Sequence, residues 1–273
     1  MRRIMRKLGD KAGVSLLEML IALVLTGIIT TAILRVYTTQ HSNYIIQDDV
    51  SNIQQNARAT IDELTRNIRM AGYDLPPGIP AIVAANTNPD TITVAFRSNG
   101  CDTYLSAKMP NPSSELKCAT SVSCFYDGQW VYIYEPGTGY GEWFEISHVQ
   151  DGSNHLQHNT MTLSKAYDSS AVVVSIEYVK FFVDVNTANG EPLFMVQPIG
   201  QSPQPYAENI MNLQFRYRLF NDSIVDQPVM ADIIREVQII VIGQSNHPLD
   251  GENGSPRHTR AYRSSVYVRN LKG

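Results

Sequence analysis

The chain has 273 residues, 43% hydrophobic and 18% charged, a balance that excludes a disordered polymer and allows one good core or two small ones. Its formal net charge of −4 is unevenly spread: residues 1–13 carry Arg2, Arg3, Arg6, Lys7 and Lys11 against Asp10 alone, and the remainder holds 17 basic and 25 acidic side chains. An acidic body argues against wholesale nucleic-acid binding, which is driven by phosphate neutralisation.

Residues 14–34 form a run of 21 in which Glu18 is the only charged side chain. That is long enough to cross a bilayer as a helix. The basic residues precede it and only Arg35 follows closely, so the positive-inside rule places the N-terminus in the cytoplasm and the rest outside. Three readings compete. A plain signal anchor, and a secretory signal cut near Thr30-Thr31-Ala32, both leave Glu18 as a burden of roughly 2.5–3.5 kcal/mol at mid-membrane. The third cuts the chain after Gly13. Val14 then carries a new amine, Glu18 lies one helical turn on, and its carboxylate offsets an ammonium in low dielectric, its own or a neighbour's. A carboxylate also suits the positive end of a helix dipole.

The apolar positions Ile46, Val50, Ile53, Ala57, Ile61, Leu64, Ile68 and Ala71 follow at spacings of three and four, so the helix continues as a one-sided element. Gly72 suits a left-handed cap and Pro76-Pro77 prevents continuation. Gly27 is the only glycine on the way, and with Thr26 and Thr30 it is a place for local loosening. An unbroken helix of this length spans roughly 87 Å. A free coiled coil is the alternative for its second half; the strand-rich chain that follows favours packing on a sheet.

The stretch "KAGVSLLEMLIALVLTGII" resembles the class III signal of type IV prepilins and type II secretion pseudopilins. That family has a short basic leader, a glycine before the cut, a glutamate at mature position five and an apolar helix. Gly13 and Glu18 match; Val14 departs from the usual phenylalanine at mature position one. "IDELTRNIRMAGYDLPPG" resembles the helix end of PilW-type minor pilins, and "YAENIMNLQFRYRL" and "AYRSSVYVRNL" fit the C-terminal part of such proteins more loosely.

After Gly78 the pattern has period two. It predicts strands over 91–97, 130–135, 142–149, 160–164, 172–185, 193–197, 210–219, 235–242 and 261–269, with turns at 136–139, 151–152 and 186–190 and a helical turn within 229–236. No βαβ alternation occurs, so the sheet is expected to be mostly antiparallel. The polar stretches 98–128 and 243–260 read as surface loops, and no linker or repeat marks a second domain.

No catalytic constellation emerges: there is no G-x-S-x-G, P-loop or G-x-G-x-x-G in a βαβ context. His155 and His158 read as exposed loop histidines. Asp250, Glu252 and Asn253 are a weak calcium candidate that lacks alternating ligands, and a simple turn is the preferred reading, so no cofactor or metal is expected. Arg257, Arg260, Arg263, Arg269 and Lys272 make a basic run, read as a solvated strand face with charges along an edge rather than as a DNA contact. Cys101, Cys118 and Cys124 form no zinc spacing. Outside the cytoplasm one disulfide and one spare thiol are expected. Cys101–Cys124, flanking the neck between strands 91–97 and 130–135, is the first candidate; Cys101–Cys118 and Cys118–Cys124 stay open.

The expected fold is α+β and pilin-like: a long N-terminal helix packed on a mostly antiparallel sheet. Its parts are a leader over 1–13, a membrane or filament-core half over 14–35, an amphipathic half over 36–72 and a β-rich head over 73–273. The resemblance implies a structural subunit, not an enzyme. Prepilin peptidase would cut between Gly13 and Val14, Val14 would be N-methylated, and Glu18 would set register against a neighbouring amine. Met19, Leu20, Leu23, Val24 and Ile28 would pack between helices. Its partners would be other minor pilins, the major pilin and the inner-membrane assembly platform, and its place the inner membrane and then a type IV pilus. A J-like type II secretion pseudopilin, and a membrane-anchored periplasmic enzyme or binding protein, are the alternatives.

Overall fold

The computed structural model describes residues 13–187, 190–248 and 256–271. Helix α1 covers Leu16–Met70. The chain divides into two compact units, residues 1–49 and 50–273. In the first, every described residue from 13 to 43 is exposed. The second contains the rest of α1 and all the strands.

The strands in chain order begin with β1 (Ile82–Ala85), β2 (Thr91–Phe96), β3 (Asp102–Tyr104) and β4 (Leu116–Lys117). Then come β5 (Trp130–Tyr134), β6 (Gly141–Glu145), β7 (His148–Gln150), β8 (His155–Gln157) and β9 (Val172–Val174). The later ones are β10 (Glu177–Asp184), β11 (Leu193–Pro198), β12 (Gln204–Glu208) and β13 (Ile210–Leu219). β14 (Ile224–Val225), β15 (Ile234–Pro248) and β16 (Arg257–Tyr267) complete the set, with a 3₁₀ turn over Ala231–Ile233. All the pairings between these strands are antiparallel. The fold is therefore α+β, with one long N-terminal helix followed by antiparallel sheets.

The main core lies between α1 and two sheets, ordered β1-β2-β10-β11-β12 and β14-β13-β15-β16. Ala57, Leu64 and Ile68 of α1, and Ala71 just past its end, are fully buried there. Burial of a Leu or Ile side chain contributes about 1.5–3 kcal/mol, and it is this packing that stabilises the helix. Ile46, at the start of the expected stripe, is 40% exposed; its buried part begins at Ile53, with Ile61 only partly buried. A Cβ on Gly243 would lie 2.7 Å from Ile53 Cγ2, so glycine lets the helix approach β15. The helix ends as its sequence predicts: Gly72 has φ +81°, and its N–H donates to Ala95 O at 3.0 Å.

Several expectations need correction. The stretch 98–128 is not a surface loop: Cys101, Leu105, Met109, Leu116, Cys118, Val122 and Phe125 are buried in a second core, shared with β5, β6, β8 and β9. Its strands are only two or three residues long, too short to show a period. No strand forms over 160–164, where Leu163 N–H instead donates to Pro112 O. The expected strand 142–149 is two: β6 pairs with β5, while β7 pairs with β8 in a separate sheet. The expected strand 172–185 also breaks, at Ser175-Ile176, so β9 joins the second lobe and β10 the main core. At the break, Ser175 N–H donates to Cys101 O and Ser175 Oγ accepts from Gln129 Nε2. Nor is 243–260 all loop. β15 runs on to Pro248 through Gln244, Ser245, Asn246 and His247, with Ser245 Oγ accepting the His258 N–H at 2.9 Å.

Candidate functional site

The site indicated by the sequence is the start of α1. Gly13, Val14 and Ser15 precede the helix, which opens at Leu16. The Ser15 carbonyl accepts the first helical hydrogen bond, from Met19 N at 3.1 Å. Ser15 is thus the N-cap and Glu18 the third helical residue. The order S-x-x-E is the capping-box pattern, a local reason for a glutamate here that the reading above missed. Glu18 also lies in the positive first turn.

From there the helix is apolar on all sides. Its most apolar 18-residue window has a mean hydropathy of 2.3 and no buried residue. Leu16 is 78% exposed and Leu23 71%; Met19, Leu20, Val24 and Ile28 are likewise exposed. The helix is long and apolar enough to cross a membrane. Two of its hydroxyls bond back to the helix: Thr26 Oγ1 donates to Ala22 O at 2.7 Å and Thr31 Oγ1 to Gly27 O at 2.8 Å. The helix passes Gly27 and the threonines unbroken in the isolated chain. Gly27 leaves a hollow between Val24, Ile28 and Thr31.

This surface offers apolar area that water does not tolerate and one carboxylate inside it. Among the described residues that carboxylate has no ion-pair partner. In lipid or between helices it would require a cation or a proton.

The other candidates fall elsewhere. Cys101 and Cys124 form a disulfide, and Cys118 is a free, buried thiol whose pKa burial pushes up to about 11. Asp250, Glu252 and Asn253 lie outside the described residues. Among the described residues, no three His, Cys, Asp or Glu side chains converge on a possible metal position. His155 and His158 are not exposed loop side chains. His155 Nδ1 is 3.2 Å from Glu115 Oε1, and His158, 3% exposed, meets Met161 O at 2.9 Å and Ser114 O at 2.8 Å. His158 packs edge-on against Phe144 of the second core, with ring centroids 5.8 Å apart, while His155 in β8 is half-buried at its margin. Arg260, Arg263 and Arg269 are exposed, whereas Arg257 binds Glu191 at 2.6 Å; Lys272 lies outside the described residues.

Sequence reasoning also missed buried polar groups that hold the core. Asp90 accepts the N–H of Thr87 at 2.9 Å and of Phe215 at 2.8 Å, and desolvation raises its pKa. Glu63 binds Arg66 at 2.6 Å and accepts Asn67 Nδ2 at 2.8 Å. Their only signal is polarity at positions where the helical stripe or strand period calls for burial.

No curated protein and no solved structure matches the chain. Residues 9–34 match the family described as the prokaryotic N-terminal methylation motif. This stretch holds Gly13, Val14, Glu18 and the apolar surface, and the motif is the processing signal of type IV pilin-like and pseudopilin proteins.

Proposed function

We propose that this chain is a structural subunit of a type IV pilus, a minor pilin of the PilW-like kind, and not an enzyme. In this reading residues 1–13 are a leader removed by prepilin peptidase between Gly13 and Val14, and Val14 is then N-methylated. Residues 14–35 hold the precursor in the inner membrane with the head, 73–273, on the periplasmic side. Residues 36–72 join that segment to the head. On assembly the segment leaves lipid for a filament core of like helices. Met19, Leu20, Leu23, Val24 and Ile28 exchange acyl chains for neighbouring side chains, and Glu18 meets the amine of another subunit's residue 14. The other minor pilins, the major pilin and the assembly platform are its partners.

One observation carries the reading. An exposed apolar helix segment begins two residues after Val14, and Glu18 in its first turn is the one acidic group of residues 14–34, inside a methylation motif. A secretory signal or plain anchor needs neither the glycine nor the acid. The same motif serves pseudopilins, so a J-like secretion subunit shares the processing but not the pilus. The intact mass of the membrane-purified protein tests the reading. It should correspond to residues 14–273 plus one methyl group. An uncut Met1, or a mature start at Ile33, would overturn it.

A further inference from the structure

We infer that the free edge of β16 is a docking site for an extended, acidic segment of another polypeptide, which adds as a further strand to the β14-β13-β15-β16 sheet.

The edge comes first. Among the described residues β16 pairs only with β15 and ends the sheet. In an antiparallel ladder alternate residues turn their backbone groups to the partner strand. Val268 N donates to Arg235 O at 3.0 Å, which fixes the phase: even-numbered positions face β15. Thr259, Ala261, Arg263, Ser265 and Tyr267 therefore direct N–H and C=O away from the sheet. No other described element meets them. An 11-residue strand with such an edge is a template for another chain.

The edge also borders a cleft of about 550 Å³ between β16 and residues 51–62 of α1. Gln54, Gln55 and Arg58 line it from the helix, and Tyr262, Arg263 and Ser264 from the strand. The Tyr262 hydroxyl is buried there without a hydrogen-bond partner, an arrangement that costs stability until an acceptor arrives. An added strand would lie in this cleft.

Charge selects the occupant. Arg58, Arg260 and Arg263 are exposed, and none forms an ion pair among the described residues. Asp62 is the one acidic side chain lining the cleft. Arginines along an edge repel a second copy of the same edge, which excludes β16–β16 pairing. They attract a strand carrying Asp or Glu at alternate positions. A polyanion such as single-stranded DNA would use the arginines but neither the alternating backbone groups nor the Tyr262 hydroxyl.

The full chain in detergent micelles should be screened against an array of ten-residue peptides with Asp or Glu at every second position. The same peptides with Lys at those positions, and backbone N-methylated versions, are the controls. Retention confined to unmethylated acidic peptides is expected. In fluorescence anisotropy with the strongest of them, Arg263→Glu should weaken binding by about tenfold or more, a change of about 1.4 kcal/mol per decade. Ala261→Pro removes an N–H that faces away from β15 and should abolish binding while leaving the ladder intact. Should that variant misfold, the N-methylated peptides test the same hydrogen bonds on the unaltered protein. The proposal is overturned if no acidic peptide is retained or if N-methylated peptides bind equally. It also falls if a ten-nucleotide oligothymidylate binds as tightly as the peptide and displaces it.

Discussion

Asn270 Nδ2 donates to the Met70 carbonyl at 3.2 Å, and to that of Ala71 at the same distance, across 200 residues of chain. The last carbonyls of an α-helix have no partner within it, and here a residue near the C-terminus supplies one. Asn270→Ala should lower the unfolding free energy of the head by about 1 kcal/mol. Ending the chain at Tyr267 should cost more, because Val268 and Leu271 belong to the main core. Urea denaturation of the detergent-solubilised chain measures both. Equal stability of Asn270→Ala and wild type would mean that water replaces the cap without loss.

Cys118 is 6% exposed, and burial raises its thiol pKa to about 11. The thiolate is the reactive form, so native protein at pH 7.5 should resist iodoacetamide while denaturant-unfolded protein reacts with one equivalent. The sign of the linkage follows. A thiol with a raised folded-state pKa favours the fold below the unfolded value near 9, and that contribution is lost as pH rises towards 11. Cys118→Ala should flatten the stability profile between pH 9 and 11.

Much of the fold was legible because its periods are long. Ile53, Ala57, Leu64, Ile68 and Ala71 repeat over five turns, and Ile210–Leu219 alternates through ten residues. The second lobe was hidden for the opposite reason. β3, β4, β7, β8 and β9 are two or three residues each, and what organises them is a disulfide between residues 23 apart and a buried His158 bonded to two carbonyls. Neither is a periodic signal. Splits such as Ser175-Ile176 escape a hydropathy pattern because both sides stay apolar while the chain changes sheets. At the N-terminus the apolar run and Glu18 stand out alone, whereas the capping role of Ser15 needed the helix start at Leu16.

Asp127 is held below the usual carboxylate range, first by its hydrogen bond with His148 Nδ1 at 3.0 Å and then by the Val149 N–H at 2.7 Å. A depressed folded-state pKa adds stability above the ordinary value near 3.9, and that stability disappears as pH falls through the folded one. Carboxyl NMR should place the Asp127 midpoint below those of unpaired aspartates. Asp127→Asn should reduce the acid dependence of stability below about pH 4; an unchanged profile would mean that solvent screens the pair completely.

If Glu18 pairs with an amine in the filament, its loss should act on assembly and not on processing. Glu18→Ala should be cut and inserted like wild type but recovered at least about tenfold less in sheared pili, the factor expected from losing about 1.4 kcal/mol of pairing. Glu18→Gln, which keeps the shape of the capping box, separates charge from helix capping. If Gln restores incorporation, the carboxylate acts as a cap and the amine pairing is wrong.

The minor-subunit reading makes a quantitative demand on copy number. A major pilin must tile a helix thousands of times, so its head is under pressure to stay small. Here the unit after Asp49 contains, among the described residues, three hydrophobic core clusters and four sheets. Such a head is easier to place at a filament end than along a shaft. The buried face of α1 between Ile53 and Ala71 is also consumed by its own sheets, leaving the polar face of that stretch for neighbours. On the proposed reading, its place is in a tip or priming complex. Deleting the gene should lower the number of surface pili while the major pilin accumulates in the membrane. Quantitative proteomics of sheared filaments should find this chain at a small fraction of the major subunit. If it is instead the most abundant protein there, the minor-pilin assignment fails, while the methylation motif and the helix-led fold remain.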